Sequence, residues 1–170
     1  ILRINPDGSI PSDNPFPGSP VFALGLRNPF GLAFDPATGE LLATENGPSG
    51  RDEVNIIRAG GNYGWPEVMG QSDDPRFLPP IYATAQQSIA PTGITVYSGN
   101  LLPFQGDAFF CTFNTRTLLR IPAGQLAEVR SGQRRTLEPL DASQPCVLDI
   151  TTGPDGALYF SNTETIYRWG

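Results

Sequence analysis

Short runs of apolar residues, separated by turn residues, fill most of the chain and predict β-strands. The first runs lie at 31–34, 40–44 and 53–58, and Asp-Pro with a following glycine makes 35–39 a hairpin turn. The same order of apolar run, turn and apolar run returns at 94–112 and 150–160. Short strands that alternate with tight turns indicate an all-β fold.

An internal repeat organises these strands. Four segments end in two apolar residues followed by arginine, at intervals of about 50 to 60 residues: 1–3, 56–58, 118–120 and 166–168. Each interval has room for four strands. Four-stranded units repeated with this period are typical of β-propeller blades, so we predict a β-propeller with about three blades in this chain.

Three blades do not close a ring, because propellers have about four to eight. We therefore expect the chain to be part of a larger propeller, completed by further blades or by a second copy. A compact sandwich of about a dozen strands is the alternative fold. The approximate blades are 5–58, 59–120 and 121–170, with residues 1–4 as the outer strand of a preceding blade.

Three stretches lie outside this pattern. Residues 66–91 have a weak strand signal and predict a loop over one face of the ring. Residues 103–107 predict a turn that leads into a strand at 108–113. The helix-like stretch 123–136 is short and contains Gly132, so we expect an irregular surface excursion there.

Composition narrows the functional classes. Hydrophobic residues make up 39% of the 170 positions and charged residues 16%, which suits one domain with a real core. The net charge of −6 argues against a nucleic-acid partner and is compatible with calcium. The sequence has no apolar run long enough to span a membrane. Its first residues already read as a strand and turn, so any targeting segment is expected upstream.

Two residue types limit the chemistry. The chain contains no histidine, which excludes histidine-based catalysis and histidine-ligated zinc by these residues alone. Its two cysteines, Cys111 and Cys146, allow either one internal disulfide or two buried thiols.

Four motifs occur in order and carry a resemblance: GLRNPFG at 25–31, ENGP at 45–48, DEVN at 52–55 and GGNYGW at 60–65. Together they resemble the glucose/sorbosone dehydrogenase family, the soluble aldose sugar dehydrogenases that depend on pyrroloquinoline quinone (PQQ). The resemblance covers nearly the whole chain and the later half of the family's six-bladed propeller. It implies calcium-dependent oxidation of a sugar at its anomeric carbon.

Arg27 and Asn28 offer a planar cation and an amide for a quinone that carries several carboxylates. A structural alternative is that Arg27 caps a buried turn or pairs with Asp35. The resemblance implies that Arg27, Asn28 and Asn46 contact the cofactor, and we expect Ser88, Asn114 and Arg116 to complete its binding site.

The turn at Gly47-Pro48 can direct carbonyl oxygens towards a hard cation, because proline has no competing N–H. The resemblance implies one calcium at these carbonyls and a second at Glu53 and the Tyr63 carbonyl, with Asp52 beside them. The structural alternatives are an ordinary tight turn and a solvated strand start.

The chain also departs from the family pattern. The family's catalytic base is a histidine on an earlier blade, so we expect it upstream of this chain. Asn114 stands where the family has a lysine, and Cys146 and Leu148 stand where it has arginines. Each lost charge-assisted bond weakens cofactor binding by roughly 1.5–3 kcal/mol. Arg116 is two residues beyond Asn114, so on a strand it would face the same side and compensate.

Two other functions therefore stay open. One is a catalytically inactive, calcium-binding propeller that binds a protein or glycan, and the other is a calcium-dependent hydrolase of the lactonase type. For all three functions we expect a periplasmic or secreted protein.

Overall fold

The computed structural model describes residues 1–132 and 136–170. They form three antiparallel sheets that follow one another along the chain. The first sheet contains β1 (Pro29–Phe34), β2 (Leu41–Glu45), β3 (Glu53–Ile57) and β4 (Tyr82–Ala83). The second contains β5 (Pro91–Val96), β6 (Ala108–Thr112), β7 (Leu118–Ile121) and β8 (Leu140–Asp141). The third contains β9 (Ile150–Thr152), β10 (Leu158–Ser161) and β11 (Ile166–Trp169).

The first strands of successive sheets lie side by side, as the inner strands of propeller blades do. β1 packs against β5, and β5 packs against β9. Side-chain hydroxyls join neighbouring sheets. Thr44 on β2 donates to the Thr92 carbonyl on β5 at 2.6 Å, and Thr92 donates to the carbonyl of Val147, which precedes β9, at 2.8 Å. The three sheets are thus an arc of a β-propeller, which confirms the predicted all-β fold.

The middle sheet contributes to two core clusters because β6 is buried on both faces. Alternate side chains of a strand point to opposite sides. Phe110 packs in a cluster with Val54 of the first sheet, whereas Phe109 packs in a cluster with Phe160 of the third. This two-sided burial explains why residues 108–111 read as an uninterrupted apolar run.

The repeated arginines occupy equivalent places in the three sheets. Arg58 directly follows β3, Arg120 lies in β7 and Arg168 lies in β11, which are the third strands of their sheets. The predicted boundary after residue 58 falls between the third and fourth strands of the first sheet, whereas the boundary after residue 120 falls inside β7, the third strand of the second sheet. The division of the chain into blades therefore remains a proposal.

Two local predictions differ from the structure. Residues 1–4 form a single bridge, Leu2 with Val21, rather than a strand. The stretch predicted as an irregular excursion contains helix α1 (Ala123–Arg130), because Leu126 is buried in the core and Arg130 pairs with Asp35. Residues 133–135 of that stretch lie outside the described residues.

A disulfide joins Cys111 on β6 to Cys146, with their Cα atoms 4.9 Å apart. This separation lies within the usual range for a bridge. It links the second sheet to the segment that leads into β9. In the part of the chain that the structure describes, no helix is long and apolar enough to cross a membrane.

Candidate functional site

Strand ends bring the predicted site residues to one edge of the first two sheets. Strands β1, β3 and β5 begin at this edge, and β2 and β6 end there, because neighbouring strands within a sheet are antiparallel. The loops that meet there are 25–28, 46–52, 88–90 and 113–117.

The Arg27 guanidinium lies against the turn that follows β2. It donates hydrogen bonds to the carbonyls of Asn46 at 2.9 Å and Gly47 at 3.3 Å. Its carbon lies 5.6 Å from the centre of the Trp65 ring, within the range of a cation–π contact. Asp35 pairs with Arg130, so the alternative pairing of Arg27 with Asp35 is wrong.

The 60–65 loop holds the backbone that carries Arg27. The Tyr63 N–H donates to the Leu24 carbonyl at 3.0 Å, and the Trp65 N–H donates to the Gly25 carbonyl at 2.8 Å. Gly25 has φ +74°, and a Cβ there would lie 2.1 Å from Asn62 Oδ1. Only glycine fits this contact, which explains why the GLRNP and GGNYGW motifs occur together.

Asn46 ties this turn to both sheets. Its backbone N–H donates to the Asn28 carbonyl at 3.1 Å, and its side-chain amide donates to the Pro91 carbonyl at 3.1 Å. The predicted cofactor residues Arg27, Asn28 and Asn46 are therefore neighbours at one rim.

Asp52 is a structural clamp in this structure. One carboxylate oxygen accepts the Gly47 N–H at 3.0 Å, and the other accepts the N–H groups of Ile89 and Ala90 at 2.7 and 2.8 Å. Its side chain is fully buried. These bonds fix the carbonyl turn to the second sheet. Both carboxylate oxygens of Asp52 accept backbone N–H groups, so neither is open to a cation.

Glu53, the second predicted acid, is buried opposite a residue that the sequence analysis did not select. Glu45 on β2 is the direct cross-strand partner of Glu53 on β3. Glu53 accepts the Gly70 N–H at 2.6 Å and the Asn55 amide at 3.0 Å. Burial raises the pKa of Glu53, and the nearby Asp52 carboxylate raises it further.

Glu45 has one satisfied and one unsatisfied oxygen. Oε1 accepts the backbone N–H of Arg27, whereas Oε2 is buried and has no hydrogen-bond partner among residues 1–132 and 136–170. Burial raises the pKa of Glu45 to about 7, with the neighbouring Glu53 charge adding to the effect. The sequence signals were a carboxylate at the end of a buried strand and its place as the first residue of the ENGP motif.

A narrow cavity of about 10 Å³ lies between these groups, and its lining includes Glu45, Glu53, Gly47, Tyr63 and Trp65. It approaches the roughly 10–15 Å³ that one water-sized particle needs. The Tyr63 hydroxyl is engaged, because it donates to a backbone carbonyl at 2.7 Å. Within the described ranges, no group of three or more His, Cys, Asp or Glu side chains is arranged to hold a metal ion.

The remaining candidates lie at the β6–β7 turn of the second sheet. The Asn114 amide donates to Ser88 Oγ at 3.1 Å, so these two residues are in contact. Arg116 is exposed in the same turn and has φ +57°. Because Asn114 and Arg116 lie in a turn rather than a strand, the alternation argument for a shared face does not apply to them.

Comparisons with known proteins agree with this geometry. The family model described as Glucose / Sorbosone dehydrogenase matches residues 1–167. Aldose sugar dehydrogenase YliI of Escherichia coli is 30% identical over 97% of the chain and 48% of its own length. Quinoprotein glucose dehydrogenase B of Acinetobacter calcoaceticus is 48% identical over 58% of the chain and 22% of its own length.

Among solved structures, the PQQ-bound aldose sugar dehydrogenase of Streptomyces coelicolor superposes with a TM-score of 0.74 at 31% identity. The match covers 94% of this chain and 44% of that one. The chain therefore spans less than half the length of these relatives.

Proposed function

The chain belongs to the glucose/sorbosone dehydrogenase family, and from this premise we propose that it forms part of a PQQ- and calcium-dependent aldose sugar dehydrogenase. The proposed reaction is oxidation of a sugar at its anomeric carbon. The printed names of its relatives support the class: one is a quinoprotein, and one was solved with PQQ bound.

The position of Arg27 is the observation that carries this proposal. PQQ is a planar polyanion, and the guanidinium held between the Trp65 ring and the carbonyl turn is a fixed cation at an exposed rim. Asn28 and Asn46 adjoin it, and the pair Ser88–Asn114 with Arg116 lies at the same edge of the next sheet. These residues fit an anionic ligand, and we propose that they bind and orient the cofactor.

PQQ, when bound, supplies the acceptor for the hydride that leaves the sugar. We propose that residues of this chain would hold its carboxylates. Arg27 and Arg116 provide charge, and the amides of Asn28, Asn46 and Asn114 provide directional donors. At the same rim the Gly47 carbonyl accepts a hydrogen bond from the Arg27 guanidinium and the Pro48 carbonyl accepts one from the Ser49 hydroxyl, and we propose that these two carbonyls would bind the calcium that would polarise the quinone.

A second calcium is proposed at Glu53 and the carbonyl of Tyr63. The buried, unpartnered oxygen of Glu45 supports it, because an uncompensated carboxylate beside another carboxylate favours a cation. The Gly47 N–H bonded to Asp52 keeps the carbonyl turn in place above this position.

We propose that the general base comes from outside these 170 residues. The chain has no histidine, and we propose that a histidine on another blade removes the proton from the anomeric hydroxyl. By this proposal the chain alone has no dehydrogenase activity.

Titration with PQQ and calcium tests the proposal in the longest natural protein that contains this chain. We expect a shift of the quinone absorbance on binding and dye-linked oxidation of aldoses. Arg27→Gln should weaken PQQ binding by about tenfold or more, the loss expected for a charge-assisted bond. Arg76→Gln, at an exposed pair on the 66–91 loop, is the matched control. No quinone binding at millimolar calcium would refute the proposal.

A calcium-binding propeller without cofactor is the second candidate, and one observation favours it. Cys146 is consumed in a disulfide and Leu148 is bonded through its backbone to Ser161 and Gly93, at positions where the resemblance places arginines. Calcium binding without quinone binding would identify this function. Lactone hydrolysis without quinone would identify a lactonase-type enzyme.

The disulfide also supports a periplasmic or secreted location, because such bonds persist in oxidising compartments. Separation of cell fractions, with the protein detected by antibody, tests this location.

A further inference from the structure

Glu45 connects two parts of the site that the sequence motifs treat separately. Its Oε1 receives the backbone N–H of Arg27, next to the proposed cofactor residues. Glu45 and Glu53 both line the cavity, and Glu45 Oε2 is buried without a hydrogen-bond partner among the described residues. Glu45 is 5% exposed and Glu53 6%, so water does not screen the charge of either carboxylate effectively.

The pairing of two buried carboxylates needs a compensating group. Residues directly opposite on antiparallel strands lie close together, and like charges there are destabilising. Arg27 and Arg51 also line this cavity, but among the described residues neither arginine forms an ion pair with Glu45 or Glu53, and Glu45 Oε2 has no hydrogen-bond partner. The cavity has room for about one water-sized particle.

We infer that Glu45 is a ligand of the cation held by Glu53, and that it couples this cation to the backbone turn that carries Arg27 and Asn28. This inference rests on the proposed calcium-dependent function. The ligand set is hard: two carboxylate oxygens, with backbone carbonyls of the lining, as calcium prefers.

Coupling follows from the geometry of the single side chain. A cation at Oε2 fixes the carboxylate plane and thereby fixes the acceptor of the Arg27 N–H. Loss of the cation leaves Glu45 facing Glu53, which favours movement of Glu45 away from the cavity and loosens the turn. Calcium at this inner position should therefore order residues 25–28 before any cofactor arrives.

Terbium luminescence measures the site directly, because Trp65 and Tyr63 line the cavity and can sensitise a bound lanthanide. Terbium is bound to the natural full-length protein and displaced with calcium. We expect Glu45→Gln and Glu53→Gln each to weaken calcium by about tenfold or more, since each removes a charged ligand. Glu164→Gln, at an exposed turn, is the control and should bind calcium normally.

Hydrogen exchange of the 25–28 segment tests the coupling. Calcium should slow exchange there in the natural protein and in Glu164→Gln but not in Glu45→Gln. The side-chain amide oxygen of Glu45→Gln can still accept the Arg27 N–H, so the difference reports calcium binding rather than loss of this hydrogen bond. If Glu45→Gln does not fold, Glu45→Asp is used; it withdraws the oxygen by one methylene and should also weaken calcium.

The outcomes separate two failures. If only Glu53→Gln loses calcium, Glu45 is not a ligand and the inference is wrong, while the proposed inner calcium site stands. If neither substitution changes calcium binding, the inner site of the proposed function is itself wrong. If calcium binding falls in Glu45→Gln but exchange of residues 25–28 is unchanged in all variants, the coupling is refuted.

Discussion

Glu45 and Glu53 face each other across the β2–β3 pair with both side chains almost fully buried. Each carboxylate receives backbone or amide N–H donors, but one oxygen of Glu45 receives none from the described residues. Such a pair is stable only when a cation or a proton reduces its charge. Stability should therefore depend on both calcium and pH.

Without calcium, the protein should lose stability as the pH rises. Burial raises the pKa of Glu45 from its ordinary value of 4.5 to about 7 in the folded state, so the folded state binds more protons between these values. Unfolding then releases protons, and the free energy of unfolding falls by up to roughly 3 kcal/mol across that window. Urea unfolding in a chelating buffer at several pH values measures this slope.

Glu45→Gln supplies the comparison for this prediction. The substitution removes the titrating group, so the slope between about pH 4.5 and pH 7 should flatten. Saturating calcium should flatten it in the unsubstituted protein too. A free energy of unfolding that rises with pH over this range without calcium would contradict the assignment.

Asp52→Asn should destabilise the protein by about 2–3 kcal/mol. Three backbone N–H groups converge on the two carboxylate oxygens, and an asparagine turns one acceptor into a donor. At least one buried N–H then loses its partner. Chemical unfolding with Asp13→Asn as control checks this, because Asp13 lies in an exposed pair with Arg3 and should matter little. Equal stabilities of the two variants would show that Asp52 is not a clamp.

Much of this architecture follows from local sequence. A strand could be predicted from the apolar run at 108–111, and a hairpin turn from the Asp-Pro sequence at 35–39, because strand burial and turn conformation depend on neighbouring residues. The repeat of apolar pairs before arginine then places the third strand of each sheet. These features predicted the all-β propeller.

Other features depend on contacts between distant residues and escaped prediction. Asp52 finds two of its partners 37 and 38 residues later in the chain. Glu45 becomes a site residue only through its register with Glu53. Helix α1 was missed because its stability comes from burial of Leu126 rather than from its own weak helical pattern.

Loss of the disulfide should lower the free energy of unfolding by about 3–4 kcal/mol. Cys111 and Cys146 are 35 residues apart, and a loop of that length restricts the unfolded chain by about this amount. The double substitution Cys111→Ala and Cys146→Ala should therefore unfold at lower urea than the oxidised protein. A reducing agent should destabilise the natural protein and leave the double variant unchanged. Insensitivity of the natural protein to reduction would contradict the prediction.

The chain of residues 1–170, produced alone, should associate. Leu2, Ile4, Leu32 and Phe34 are each more than half exposed and line one groove beside β1. Such a contiguous apolar patch is uncommon on a monomer and marks a covered interface. Sedimentation should give a mass above 18.3 kDa that increases with concentration. The double substitution Leu32→Thr and Phe34→Thr should reduce association, whereas Leu101→Thr, at an exposed site outside this groove, should not. A stable monomer that unfolds cooperatively would mean that this face needs no partner.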